Sequence, residues 1–284
     1  MRSSMTKRQR DLRHRVLSGL IFAVIALWCL APLGWIAITS IKPQGTEYQI
    51  PVQYWPDEPT LENYATVMGE RFAVQRSILN SVVVSTGSLI GTLVLSTLSA
   101  YAIARLRFRF RWTTLYGMQI AGMIPPIVVI APTFVLLRSL GLIRTYWAMI
   151  LPNMVYAVPL SSFLIASYFA NVPFELEDAA KIDGAGTLRT IAQVILPVAA
   201  PGIFSAGVLA FLGSWGEFML ANTVSIGSQE VETVPVAILS LSQAFELQWS
   251  WVAAGTMLTL IPIVAGVLIF QRFVVTGLSA GVAK

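Results

Sequence analysis

The 284-residue chain has one cysteine, Cys29, one histidine, His14, and little charge: 14 acidic and 19 basic residues, 12% of the total. A single cysteine inside an apolar run excludes a disulfide framework, and beside one histidine it leaves no metal cluster. His14 lies in a basic tail and reads as a solvated surface residue. There is no Gly-x4-Gly-Lys-Ser/Thr phosphate loop. Gly184-Ala185-Gly186 lacks the third glycine and the preceding strand of a dinucleotide site. No catalytic residue, metal ligand or bound cofactor is therefore expected. Soluble domains carry about 25% charged residues, twice the share found here.

What the chain has instead is apolar surface. Hydrophobic residues make up 56% and the mean hydropathy is +0.71. A soluble globule cannot hide that much, because surface falls slowly relative to volume. The expectation is an all-α polytopic membrane protein. Apolar runs fall at about 16–41, 78–104, 113–137, 146–170, 197–222 and 252–271, each long enough to span a bilayer. The first is too long for a signal-peptide core and reads as a retained span.

Charge placement orients the six spans. Arg2, Lys7, Arg8, Arg10, Arg13, Arg15, Arg105, Arg107, Arg109, Arg111, Lys181, Arg189, Arg272 and Lys284 fall on one side, fourteen of nineteen. Lys42, Arg71, Arg76, Arg138 and Arg144 fall on the other. The positive-inside bias places both termini in the cytoplasm, which accounts for the net charge of +5 without nucleic acid. Trp112, Trp147, Trp249 and Trp251 stand at span starts, where indoles suit the interface.

The resulting plan is a basic tail over 1–15, a six-span region over 16–272 and a C-terminal tail over 273–284. External loops cover 42–77 and 223–251. The first carries Glu47, Asp57, Glu58, Glu62 and Glu70, the second Glu230, Glu232 and Glu246. Two readings of these acids stand, solvated charge or a surface for a partner.

Ser81, Ser85, Ser88, Thr92, Ser96 and Ser99 share one helical face, and Gly202, Ala206, Ala210 and Ser214 repeat every four. Such faces permit close helix packing or line a path for a polar solute. Pro125, Pro126, Pro132, Pro152 and Pro159 break or kink the third and fourth spans. Glu217, an acid within the fifth run, is either functional or a structural hydrogen-bonding group.

Residues 171–197 contradict the local charge rule, with Glu175, Glu177, Asp178 and Asp183 against Lys181 and Arg189. Asn171 is expected to cap a short amphipathic helix and Pro173 to sit in its first turn. Gly184 and Gly186 then make a bend, followed by a second helix outside the membrane.

This segment resembles the EAA loop of ATP-binding-cassette (ABC) importer permeases. The chain reads Asp178-Ala179-Ala180, then Gly184, then Val194, Ile195, Leu196 and Pro197, in the family spacing, with Asp178 for Glu and Val194 for Ile. Asp183-Gly184-Ala185, Leu61-Glu62-Asn63-Tyr64, Asn80-Ser81, Trp215-x-Glu217-Phe218 and Gln271-Arg272-Phe273 resemble the carbohydrate branch, specifically its maltose-type second permease. Gly216 stands where that branch usually has Asn.

The resemblance implies a type I importer permease fold in a bacterial or archaeal cytoplasmic membrane. It also implies a second homologous permease, two copies of an ABC ATPase that bind ATP and Mg, and an extracytoplasmic sugar-binding protein. Alternating access would move a di- or oligosaccharide, with no chemistry on this chain. Glu175, Glu177, Asp178, Ala179, Ala180, Lys181, Asp183 and Gly184 would form the ATPase-coupling element, and residues 277–284 an extension toward the ATPases. Asn153, Tyr156, Trp215 and Glu217 are candidates for the sugar pathway, with structural contacts as the competing reading. A proton- or sodium-coupled transporter and a scaffold subunit are the rival classes.

Overall fold

A computed structural model describes residues 7–226, 228–242 and 247–282, with side chains over 13–226, 228–242, 247–266 and at Leu268. Arg2, Glu246 and Lys284 lie outside the described residues, as do the side chains of Lys7, Arg8, Arg10 and residues 271–282. All regular structure among the described residues is helical. The chain forms two compact units, residues 1–72 with 241–258, and 73–240 with 259–284.

The first unit holds α1 (Lys7–Ser40) and α2 (Glu62–Met68). Its loop is tied by the Leu61–Tyr64 motif. The Asn63 amide donates to the carbonyls of Ser40 and Lys42 at 2.9 and 2.7 Å, and the hydroxyls of Tyr64 and Ser40 bond at 2.7 Å. These bonds take up carbonyls that the end of α1 would otherwise leave unpaired.

The second unit contains α3 (Val74–Arg105), α4 (Arg111–Gly122), α5 (Pro126–Ser139), α6 (Trp147–Ala170), α7 (Phe174–Ile182), α8 (Thr187–Thr190), α9 (Leu196–Trp215), α10 (Met219–Val224) and most of α11 (Val234–Ser242). The last helix, α12 (Trp249–Val282), begins in the first unit and ends in the second. It carries the C-terminal tail, expected to be separate from the sixth span, as helix through Val282.

Among the described residues, five helical segments are long and apolar enough to cross a membrane: Arg13–Ser40, Val74–Arg105, Trp147–Ala170, Thr187–Trp215 and Trp249–Gly266. The run at 113–137 differs from expectation, because α4 and α5 meet at 93°. Pro125 and Pro126 offer no N–H, and Pro125 forces Ile124 away from helical geometry. Pro126 then starts α5 at a position that tolerates it. Pro132, Pro152 and Pro159 lie inside continuous helices instead.

The core of this unit is α3 packed on α6 and α9, and the small-residue faces make it. Ser81, Ser85, Ser88, Thr92 and Ser96 are buried, as are Gly202, Ala206, Ala210 and Ser214. Ser214 donates to Ser88 at 3.3 Å across α9 and α3, and Ser96 to the Val158 carbonyl of α6 at 3.4 Å. Lipid supplies no hydrophobic drive between helices, so contact depends on this close approach. At the other end of α3, the Asn80 amide donates to the carbonyls of Glu230 and Glu232, and Tyr146 donates to its oxygen at 2.8 Å. Glu232, read above as a solvated or partner-facing acid, is buried and accepts from Ser240 at 3.0 Å. Burial pushes its carboxyl above the usual range, and the Ser240 bond opposes that rise.

Gly202 marks a close approach of α9 to α6: a Cβ there would overlap the Tyr168 ring. Gly202→Val should lower the unfolding temperature in detergent by an overpacking cost of about 1–3 kcal/mol. Adding Tyr168→Ala should recover part of the loss in the same measurement.

Candidate functional site

The segment after α6 begins differently from expectation. Asn171 does not cap α7; it ends α6, its amide donating to the Ser167 carbonyl at 2.9 Å. Pro173 disfavours helical geometry at Val172, so α7 starts at Phe174 with Pro173 itself at the N-cap. The helix ends in a Schellman turn. Ala185 N–H donates to Ala180 O at 2.9 Å and Gly184 N–H to Lys181 O at 3.0 Å, with Gly184 at φ 79°. The second helix expected outside the membrane is no separate element. Thr187–Thr190 runs through a π turn, Ile191–Ile195, into α9. Leu196 N–H bonds five residues back to Ile191, a shift that makes room for Pro197.

The faces of α7 divide its candidate residues. Glu175, Asp178, Ala179, Lys181, Asp183 and Gly184 are exposed, and Lys181 pairs with Asp178 at 3.2 Å. Ile182 and Leu188 add apolar groups 87% and 74% exposed. Glu177 and Ala180, nominated for ATPase contact, point the other way and are buried. Glu177 Oε1 lies 2.8 Å from Arg105 Nε, with the two side chains 4% and 1% exposed. Tyr101, one turn earlier on α3, approaches the other carboxylate oxygen at 3.5 Å. Arg105 also donates to Val172 O at 2.6 Å and stacks its guanidinium 4.4 Å over Phe174.

Arg105 read as a topology charge in the sequence; it is a clamp that fixes α7 to the end of α3. A Glu three residues into an amphipathic helix, facing an Arg that ends a span, is the only sequence signal for it. Breaking a buried pair costs about 3–5 kcal/mol, because one charge is left uncompensated. Arg105→Met should therefore raise amide exchange over residues 174–182 by at least about tenfold. The double variant Arg105→Met/Glu177→Met should restore most of the protection.

The pathway candidates also divide. Asn153, Tyr156 and Glu217 line a cavity of about 440 Å³ bounded by α5, α6, α9 and α10, with Thr133 and Ser161 as further polar groups. Trp215 is absent from that lining: it is buried and stacks on Phe211 at 5.7 Å. The cause is that α9 ends at Trp215, with Ser214 committed to α3, so the indole joins the Phe211 face one turn back. Glu217 lies past that helix end rather than within a span. Its two oxygens accept from Leu220 and Ala221 N–H at 2.7 and 2.9 Å, capping α10. The structural reading of Glu217 thus has direct contacts behind it, though the side chain still reaches the cavity.

The family described as "Binding-protein-dependent transport system inner membrane component" matches residues 92–279. The chain is 33% identical over 255 residues to the sulfoquinovosyl glycerol transport system permease protein SmoH of Agrobacterium fabrum, covering 90% of this chain and 89% of that one. It is 32% identical over 280 residues to the trehalose/maltose transport system permease protein MalG of Thermococcus litoralis, covering 96% and 99%. Among solved structures, a chain of a bacterial ABC transporter involved in alginate import aligns with a TM-score of 0.74 at 18% identity, covering 95% and 98%. The likeness in fold and the family match over the α7 segment agree, and the chain belongs to the binding-protein-dependent transport inner-membrane family, the permease subunits of ABC importers.

Proposed function

We propose that this chain is one half of the gate of an ATP-driven sugar importer, moving a di- or oligosaccharide by alternating access. Relatives named for trehalose, maltose and sulfoquinovosyl glycerol transport support the substrate class. The partners are a second homologous permease, two ATPase subunits that hold ATP and Mg, and an external sugar-binding protein. Both termini and α7 lie on the cytoplasmic side, as the basic residues suggest. The chain itself carries no catalytic step.

The observation behind the coupling role is the two-sided character of α7. One face is held to α3 by a buried ion pair. The opposite face presents Asp178, Lys181 and Ile182 to solvent. A helix seated in an ATPase groove on that free face would pass a displacement to α3 through the clamped one. Gly184 lets the chain turn sharply without a side chain; nothing lies within 4 Å of a Cβ there, so φ is the constraint. In the cavity, Asn153 and Tyr156 supply hydrogen-bonding groups and an aromatic face for a sugar ring.

Gly184→Val puts a branched side chain at positive φ, at a cost of about 1–2 kcal/mol, and distorts the docking turn. In proteoliposomes with the ATPase and binding protein, sugar transported per ATP hydrolysed should fall at least about tenfold while membrane insertion persists. Wild-type coupling would remove α7 from the docking role. Asn153→Ala and Tyr156→Ala should impair uptake with the complex still assembled, whereas Trp215→Phe should leave the substrate preference unchanged. A Trp215→Phe variant with altered preference would return that residue to the pathway.

A further inference from the structure

The end of α1 and the start of α12 enclose a separate cavity of about 460 Å³ within the first unit. Its walls include Trp35, Thr39, Lys42, Glu47 and Trp249. Lys42 is only 2% exposed; its ammonium donates to Gln53 O at 2.6 Å and lies 4.7 Å over the Trp35 ring. Glu47 Oε1 lies 3.4 Å from both the N–H and the hydroxyl of Ser250, while its Oε2 is buried without a hydrogen bond. Thr39, 8% exposed, has its hydroxyl in the same state. No ion pair joins Lys42 to Glu47 across the space they share.

Buried polar atoms are almost always bonded, and a buried charge without a counter-charge is costly. Two opposite charges that face one cavity without pairing call for an occupant carrying both signs. The surroundings define its position. Trp35, braced edge-on by Tyr54 at 6.0 Å, and Trp249 stand where spans end, the depth at which indoles mark the headgroup layer. Below them on the same face of α1, Leu33 and Cys29 precede Ile36 by three and seven residues and are exposed, an apolar track for acyl chains.

We propose that this cavity binds the headgroup of a zwitterionic aminoalkyl phospholipid, phosphatidylethanolamine in chemistry. The phosphate takes the free donors of Lys42 and the Thr39 hydroxyl. The ammonium takes Glu47 Oε2 and lies against an indole face. A neutral sugar would stack on the indoles and reach Thr39 but would give Lys42 no anion. A glycerol-headed anionic lipid would give Glu47 no cation. The site is distinct from the cavity at Asn153 and from α7, so it stands or falls separately from the transport reading.

The test is native mass spectrometry of the full purified chain in detergent, titrated with phosphatidylethanolamine, phosphatidylglycerol and phosphatidylcholine of matched acyl chains. Phosphatidylethanolamine should be retained about tenfold more strongly than phosphatidylglycerol. Glu47→Gln, which keeps the shape and an acceptor for Ser250, should remove that preference, and Lys42→Met should weaken both phospholipids. Circular dichroism melts identify any variant that fails to fold, and the headgroup comparison on the unmodified chain needs no variant. Equal retention of the lipids, no retention of any, an unchanged preference in Glu47→Gln, or displacement of the lipid by a disaccharide would each overturn the proposal.

Discussion

The contact between Arg105 and Glu177 joins the long apolar helices of the second unit to the short polar helix α7. The charge that ends a span is expected to face water, yet here it is buried 2.8 Å from a carboxylate on the helix that follows α6. Desolvating both groups is unfavourable, and Val172 O, the Phe174 ring and Tyr101 offset part of that cost. The consequence is mechanical. α7 cannot shift without either moving α3 or exposing two unpaired charges, and α3 is the helix on which α6 and α9 pack.

That packing depends on a second constraint, the weakness of apolar attraction inside lipid. Helices there approach through small residues and cross-helix hydroxyl bonds, and the stripe from Ser81 to Ser96 against Gly202 through Ser214 is such a surface. Both stripes had two readings, packing or solute path. Burial and the Ser214–Ser88 bond place them in the packing core. The polar cavity opens at the end of the α9 stripe, where Ala210 and Ser214 join its lining, α9 stops at Trp215 and Glu217 caps α10. Interrupted helices leave polar backbone groups unused, so a polar cavity forms where elements break.

Much of this was readable from residue type and spacing. Apolar run lengths located the spans, small residues at steps of three and four identified the helix-facing stripes, and Gly184 announced the turn that closes α7. The differences share a cause: each depends on what lies across a gap in sequence. Pro125-Pro126 signals a break but not a 93° one. Asn171 suits either end of a helix, and Pro173 assigned it to α6. Trp215 and Glu217 sit in one short motif, yet a helix end between them sends the indole into packing and the carboxylate toward the cavity. Glu177 and Asp178 are adjacent acids, and a rotation of 100° about the α7 axis buries one and exposes the other.

Residue type and spacing alone were enough for the solvent, the span count to within one broken pair, the family and the position of the short polar helix α7 along the chain. All of these follow from local composition and spacing, which a one-dimensional chain records directly. Packing alone settles which charges are partnered: Arg105 with Glu177, Glu232 with Ser240, and Lys42 and Glu47 with Gln53 O and Ser250 rather than with each other. The cost of a charge depends on its distance from other groups and from water, and residues 72 apart in sequence come within 2.8 Å only once the helices have packed.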